Sequence, residues 1–228
     1  MIIVKGLKKT YKIGSTELPV LRGIDMHVEK GEFVSITGRS GSGKSTLLYQ
    51  LGLLDYPNSG SIIIDRMETS ELTSSERTSM RLIELGYVFQ DYALLPSLTA
   101  VENVMVPLLM LSLSKKEAHK KAKHALSLVG LSERLNSLPS QLSGGEQQRV
   151  SIARAIGFEP KILFADEPTA NLDTETSKMV LDIFLQLNAL GQTIVMVTHE
   201  KDYAMLADRI LTLSDGVISE TKIGKKKK

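Results

Sequence analysis

Gly38-Arg39-Ser40-Gly41-Ser42-Gly43-Lys44-Ser45, followed by Thr46, is the stretch from which the rest of the chain can be read. It has the G-x-x-x-x-G-K-[ST] spacing, with an apolar run predicted as a strand over residues 33–37 before it and a helix predicted from Gly43. Glycines let successive backbone N–H groups close round an anion, and the helix brings the positive end of its dipole to the same point. Lys44 then reaches the β- and γ-phosphates, and Ser45 offers a hydroxyl to Mg²⁺. Gly38, Ser40, Gly41, Ser42, Gly43, Lys44, Ser45 and Thr46 are therefore a candidate nucleoside-triphosphate site.

Working outward, residues 2–4, 20–28 and 33–37 read as strands, followed by short strands at 61–64 and 86–89. From Thr99 to about Phe158 the apolar positions recur at helical spacing and no strand is evident. Alternation then resumes, with strands at 162–165, 193–198 and 210–213 and a helix from about Glu175 to Leu190. Such alternation predicts a parallel sheet covered by helices. Asp215-Gly216, set between two apolar runs, predicts a closing hairpin and an antiparallel edge. There is no internal repeat and no long linker, so the helical block reads as an insertion into one α/β domain over residues 1–224. The core is expected at about 1–90 and 159–224, the helical part at about 91–158, and a disordered lysine tail at 225–228.

Composition excludes several classes. The 228 residues contain no cysteine, which rules out a disulfide framework or a zinc–thiolate site. The net charge of +2 includes four terminal lysines, so the body of the chain is about −2, a poor match to a nucleic-acid backbone. The most apolar stretch, residues 104–113, is far short of the roughly 20 residues that cross a bilayer, and Pro107 and Ser112 interrupt it. Direct membrane insertion is not expected.

A second acid-bearing element fits the same chemistry. Residues 161–167 read as a buried strand ending in Asp166-Glu167, a pair that taken alone could be a solvated strand end. Beside a phosphate loop, Asp166 would hold the Mg²⁺ shell and Glu167 would polarise an attacking water. Leu142-Ser143-Gly144-Gly145-Glu146, with Gln147-Gln148-Arg149 and a helix after it, could by itself be a serine N-cap before a glycine-rich helix start. In this order and position it resembles the signature sequence of the ATP-binding cassette (ABC) family.

That resemblance spans nearly the whole chain. Tyr11 falls where the family stacks an aromatic ring on adenine, Gln90 at its Q-loop, Asn171-Leu172-Asp173 at its D-loop and His199 at its switch histidine. Singly these residues read as a strand aromatic, a surface polar residue, a helix cap and a surface histidine. Glu146 departs from the family, many of whose members have glutamine there. The subgroup most similar is that of lipoprotein-release and macrolide-export ATPase subunits, on Gly52-Leu53-Leu54-Asp55, residues 86–90, residues 95–104 and residues 165–173. Related cell-division and peptide-export ATPases share much of this.

The resemblance implies an α/β fold of the P-loop NTPase type: a RecA-like, mostly parallel sheet, an N-terminal antiparallel β subdomain and an inserted α-helical subdomain. It implies ATP and Mg²⁺, with Ser45, Gln90 and Asp166 at the metal, Glu167, His199 and Gln90 in catalysis, and Tyr11 at the base. It also implies a head-to-tail homodimer in which Ser143, Gly144, Gly145 and Asp173 of one copy complete the site of the other. The implied partner is an integral-membrane permease, which would hold the chain at the inner face of the cell membrane. Asp91 to Thr99 and the following helices would receive that permease, with Leu94, Leu95, Leu98 and Val101 either lining the contact or packing internally. Rival readings are a soluble cassette ATPase acting on DNA or ribosomes, a regulatory envelope ATPase, and an ATP-holding switch without turnover. The presence of both Glu167 and His199 argues against the last.

Overall fold

The structure is a computed structural model, and it describes residues 1–224; the lysine run at 225–228 lies outside the described residues. In chain order the elements are β1 (Ile2–Ile13), β2 (Thr16–Val28), β3 (Phe33–Thr37), α1 (Lys44–Leu51), β4 (Ser59–Ile64), β5 (Met67–Glu68), α2 (Ser74–Glu84), β6 (Leu85–Val88), α3 (Ala100–Met110), α4 (Lys115–Leu128), α5 (Gly144–Ile156), β7 (Ile162–Asp166), α6 (Thr174–Ala189), β8 (Thr193–Val197), α7 (Lys201–Ala204), β9 (Arg209–Ser214) and β10 (Val217–Ile223). They divide into two compact units: Met1–Ser79 with the segment from Gly191 onward, and Met80–Leu190. The expected α/β architecture is present, with an antiparallel N-terminal sheet, parallel strands behind the phosphate loop, and α3, α4 and α5 inserted between β6 and β7.

In the first unit an antiparallel sheet runs in the order β2-β1-β4-β5. β1 is much longer than the three residues its alternation predicts. Ile2 and Val4 point inward, a register shift falls between Val4 and Leu7, and beyond it Leu7 and Lys9 are the buried positions. An extra residue in one strand reverses which side chains face in. The irregularity at Lys5-Gly6 thus turns Lys9 inward and sets Tyr11 on the same face two residues on.

The unit's other strands run β10-β9-β3-β8, with β9, β3 and β8 parallel and β10 antiparallel at the edge through the Asp215-Gly216 turn. All five residues of β8 are buried, the continuous apolar pattern of a strand covered on both faces. β3 has β8 on one edge and β9 on the other.

The second unit pairs β6 and β7 in parallel, packs α5 against β6, and sets α3, α4 and α6 on α5. Each long helix here begins on a side-chain cap: Thr99 on α3, Ser114 on α4, Ser143 on α5 and Asp173 on α6. Val101 is 5% exposed on the inner face of α3 whereas Leu95 is 45% exposed, so the apolar cluster divides between core and surface.

Asn103, fully buried, organises the loop before α3. Its Nδ2 donates to the carbonyls of Leu95 (3.1 Å), Leu98 (2.9 Å) and Thr99 (3.1 Å), and its Oδ1 accepts from the Leu95 N–H (2.8 Å). Asn103→Ala strips these partners from buried backbone groups and is expected to cost about 2 kcal/mol, lowering Tm by about 4–8 °C in a calorimetric scan. An unchanged Tm would mean that the loop is held by other contacts.

Candidate functional site

The first unit contains the phosphate loop, Tyr11 and His199. The loop leaves β3 through Gly38, where an added Cβ would lie 2.2 Å from the Leu213 carbonyl oxygen, so no other residue fits without moving β9. α1 then starts at Gly43 with no side-chain cap and no acidic residue in its first turn, unlike α3, α4, α5 and α6. A helix start without its own anion or cap, preceded by a turn of small residues, is suited to receive phosphate oxygens. Ser42 Oγ is buried without a hydrogen-bond partner, a further donor for such a ligand. Lys44 is 7% exposed and its ammonium donates to Arg39 O at 3.2 Å, which folds the positive charge back over the loop. Ser45 and Thr46 follow in the first turn, half-buried, while Ser40 and Gly41 are exposed.

Tyr11 sits beyond the β1 irregularity, with its hydroxyl donating to Asp55 Oδ2 at 2.9 Å. Burial raises its phenol pKa first, Asp55 adds to this, and Thr46 pulls the other way, so the hydroxyl keeps its proton. His199 follows β8 with its side chain about half exposed, Nε2 lying 3.4 Å from Glu200 Oε1.

The second unit contains Gln90, Ser143, Gly144, Gly145, Asp166, Glu167 and Asp173. Asp166 ends the fully buried β7 at 4% exposure. Glu167 follows at φ 44°, in the left-handed region. The chain turns twice more, Ala170 N–H to Glu167 O at 3.1 Å and Leu172 N–H to Thr169 O at 3.2 Å, before Asp173 caps α6. The Asp173 carboxylate accepts from the Thr176 N–H at 2.9 Å and the Thr176 hydroxyl at 2.6 Å, bonds that hold its pKa below the usual range.

Three of the expected elements converge within this unit. Asn171 Nδ2 donates to Gln90 O at 3.1 Å, joining the turn before α6 to the loop after β6. That loop continues through Tyr92 and Ala93, both in the left-handed region, and Arg154 of α5 donates to the carbonyls of both, at 3.0 and 2.5 Å. Burial lowers the Arg154 pKa, a cost that its two carbonyl partners offset. Tyr92 and Leu172 then border Gly144, and Thr176 borders Gly145. Arg154 carries no motif signal, and Asn171, although it belongs to the D-loop motif, has none that assigns it the bond to Gln90; only the packed loop reveals these contacts.

Glu146 is accounted for locally. One carboxylate oxygen accepts from the Ser143 N–H at 2.8 Å and the other from Arg134 Nε at 2.9 Å. These bonds lower its pKa, the Ser143 N–H contributing most, and Arg134 offsets its charge at a helix start expected to face phosphate.

Comparison with known proteins agrees with this geometry. The ABC transporter family profile matches residues 21–170. The lipoprotein-releasing system ATP-binding protein LolD of Aquifex aeolicus is 52% identical over 87% of this chain and 89% of its own length. An uncharacterized ABC transporter ATP-binding protein of Bacillus subtilis, YknY, is 45% identical over 99% and 98%. The macrolide export ATP-binding/permease protein MacB of Rhodopirellula baltica is 46% identical over 96% of this chain, which spans 33% of that longer protein. Among solved structures, the dimeric ATP-binding cassette MJ0796 in a post-hydrolysis state bound to ADP and Pi superposes with a TM-score of 0.91 at 41% identity, covering 98% of both chains. A second dimeric structure of that cassette gives 0.92.

Proposed function

The chain belongs to the ABC transporter family, and on that premise we infer that it is the ATP-binding, ATP-hydrolysing subunit of a transporter, pairing with a second copy of itself to drive a membrane permease. The observation that carries this reading is the contrast between helix starts: α1 opens without a side-chain cap behind a phosphate loop, as a nucleotide site requires. Among the described residues no helix is long and apolar enough to cross a membrane.

In this reading the loop from Gly38 to Thr46 binds the phosphates and Tyr11 stacks on the base. Ser143 to Gly145 of the second copy face the γ-phosphate, with the dipole of α5 supplying the charge stabilisation that an arginine gives in other NTPases. Glu167 orients the attacking water, His199 contacts the γ-phosphate, and Gln90 senses metal and water. Mg²⁺, when bound, offsets the charge of the β- and γ-phosphates; the Ser45 hydroxyl, Gln90 amide and Asp166 carboxylate are hard oxygen donors of the kind it takes. Water cleaves the bond to the γ-phosphate to give ADP and phosphate, and the pair loosens.

Export, by lipoprotein release or efflux of a macrolide or peptide, is the favoured use of the cycle, supported by the named relatives LolD and MacB. It would place the chain at the cytoplasmic face, with residues 91–158 as the region that receives the permease. Phosphate release by the purified chain tests the paired site. Activity per molecule is expected to rise with protein concentration, because each site needs two copies, and Ser143→Arg is expected to abolish it. Turnover independent of concentration would overturn the pairing.

A further inference from the structure

The turn after α1 carries a side-chain cluster to which the proposed function assigns no task. Asp55 Oδ1 accepts from Lys9 Nζ at 2.9 Å and from the Tyr56 N–H at 2.7 Å. Its Oδ2 accepts from the Tyr11 hydroxyl at 2.9 Å and from Gln50 Nε2 at 3.0 Å. Lys9 Nζ also donates to Tyr56 O at 2.6 Å and lies 4.9 Å from the centroid of the Tyr11 ring. The backbone of the turn is clamped from the other side by Arg77, 2% exposed, which donates to Asp55 O at 2.7 Å and stacks 4.0 Å from the Tyr56 ring.

Burial alone would raise the Asp55 pKa, but the bonds from Lys9, the Tyr56 N–H and Tyr11 outweigh it and keep the carboxylate ionised. Both of its oxygens are therefore occupied by donors, and three of the four, Lys9, Tyr11 and Gln50, come from elements that bear on nucleotide binding. Lys9 and Tyr11 are brought to one face by the irregularity in β1. Gln50 belongs to α1, the helix that begins at the phosphate loop. A tyrosine near a strand end has two free torsions; bonding its hydroxyl removes that freedom before a ligand arrives and lowers the ordering cost of binding.

We propose that Asp55 is a positioning residue of the nucleotide site: through the Tyr11 hydroxyl it fixes the aromatic ring relative to α1, so that the ring face is preset for the base while the loop takes the phosphates. The proposal rests on the assignment of Tyr11 as the base platform. Asp55 touches no reacting atom, and its effect is confined to ligands that carry a base.

The test is calorimetric titration of the full chain with Mg-ADP and, separately, with inorganic tripolyphosphate, which has phosphates but no base. Tyr11→Phe removes the Tyr11–Asp55 bond and Asp55→Asn, whose amide oxygen can still accept, takes away its charge assistance and one acceptor; each is expected to weaken ADP about five- to tenfold, the scale of one charge-assisted hydrogen bond. Tripolyphosphate affinity is expected to stay within about twofold of the parent, and the double variant to be no weaker than either single one. In steady-state hydrolysis KM rises and kcat holds. Tyr11→Phe leaves the Lys9–Asp55 pair intact, so it reads the bond even if Asp55→Asn folds poorly. Parallel weakening of both ligands in Tyr11→Phe, or additive effects, would mean general damage and overturn the proposal. If Tyr11→Ala weakens ADP but Tyr11→Phe does not, positioning by Asp55 fails while the platform stands; if Tyr11→Ala is silent, the platform assignment itself fails.

Discussion

Glu167→Gln is expected to lower phosphate release by about a hundredfold or more, the usual worth of a group that activates the attacking water, and to trap an ATP-bound pair visible as a doubled mass in light scattering. The expectation has a conformational basis as well as a chemical one. Glu167 follows the fully buried strand β7 and adopts φ 44°, a region that costs a non-glycine residue about 1–2 kcal/mol. A residue held there is over-determined by its surroundings, here by Asp166 before it and the turns through Ala170 and Leu172 after it. Glutamine keeps the shape and the backbone strain but lacks the basic oxygen, so binding and stability are retained while turnover is lost. Glu167→Gly, which relieves the strain, is expected to be equally inactive and no less heat-stable. Parent-like turnover in Glu167→Gln would remove this residue from the chemistry and favour another base.

What could be read in advance was local. The Asp215-Gly216 hairpin and the buried strands at 33–37 and 193–198 each follow from residue types at fixed short spacing, and the structure has them there, the last strand ending at Val197. β1 was seen only to Val4, because the irregularity at Lys5-Gly6 reverses the alternation and the lysines beyond it look solvated although Lys9 is buried. α2 left no apolar stripe to find: Met80 and Arg77 are its buried residues, and Arg77 is polar. The contacts that organise the site join residues far apart in the chain, Tyr11 to Asp55, Asn171 to Gln90 and Arg154 to Ala93, and spacing within one sequence does not record such pairs.

Gly145→Ala is expected to have the other large effect, on stability and activity together. A methyl group at this position would lie 2.0 Å from Thr176 Cγ2, less than any tolerated carbon–carbon approach. Thr176 cannot rotate away freely, because its hydroxyl bonds Asp173 at 2.6 Å and its N–H bonds the same carboxylate at 2.9 Å. Either the starts of α5 and α6 move apart or the α6 cap breaks; overpacking of this kind costs about 1–3 kcal/mol, which for a chain of this size lowers Tm by about 2–12 °C. Turnover should fall further, by about a hundredfold, since a shift of about 1 Å in a group that meets the transition state is enough for that. Thr176→Ser separates the causes: it removes the offending methyl and keeps the hydroxyl that bonds Asp173. The pair Gly145→Ala/Thr176→Ser is therefore expected to regain most of the lost Tm and part of the lost turnover. If the serine change restores neither, the glycine is required for something other than room beside Thr176. If it restores Tm alone, the N–H geometry of Gly145, and not its packing, is what the second copy's nucleotide depends on.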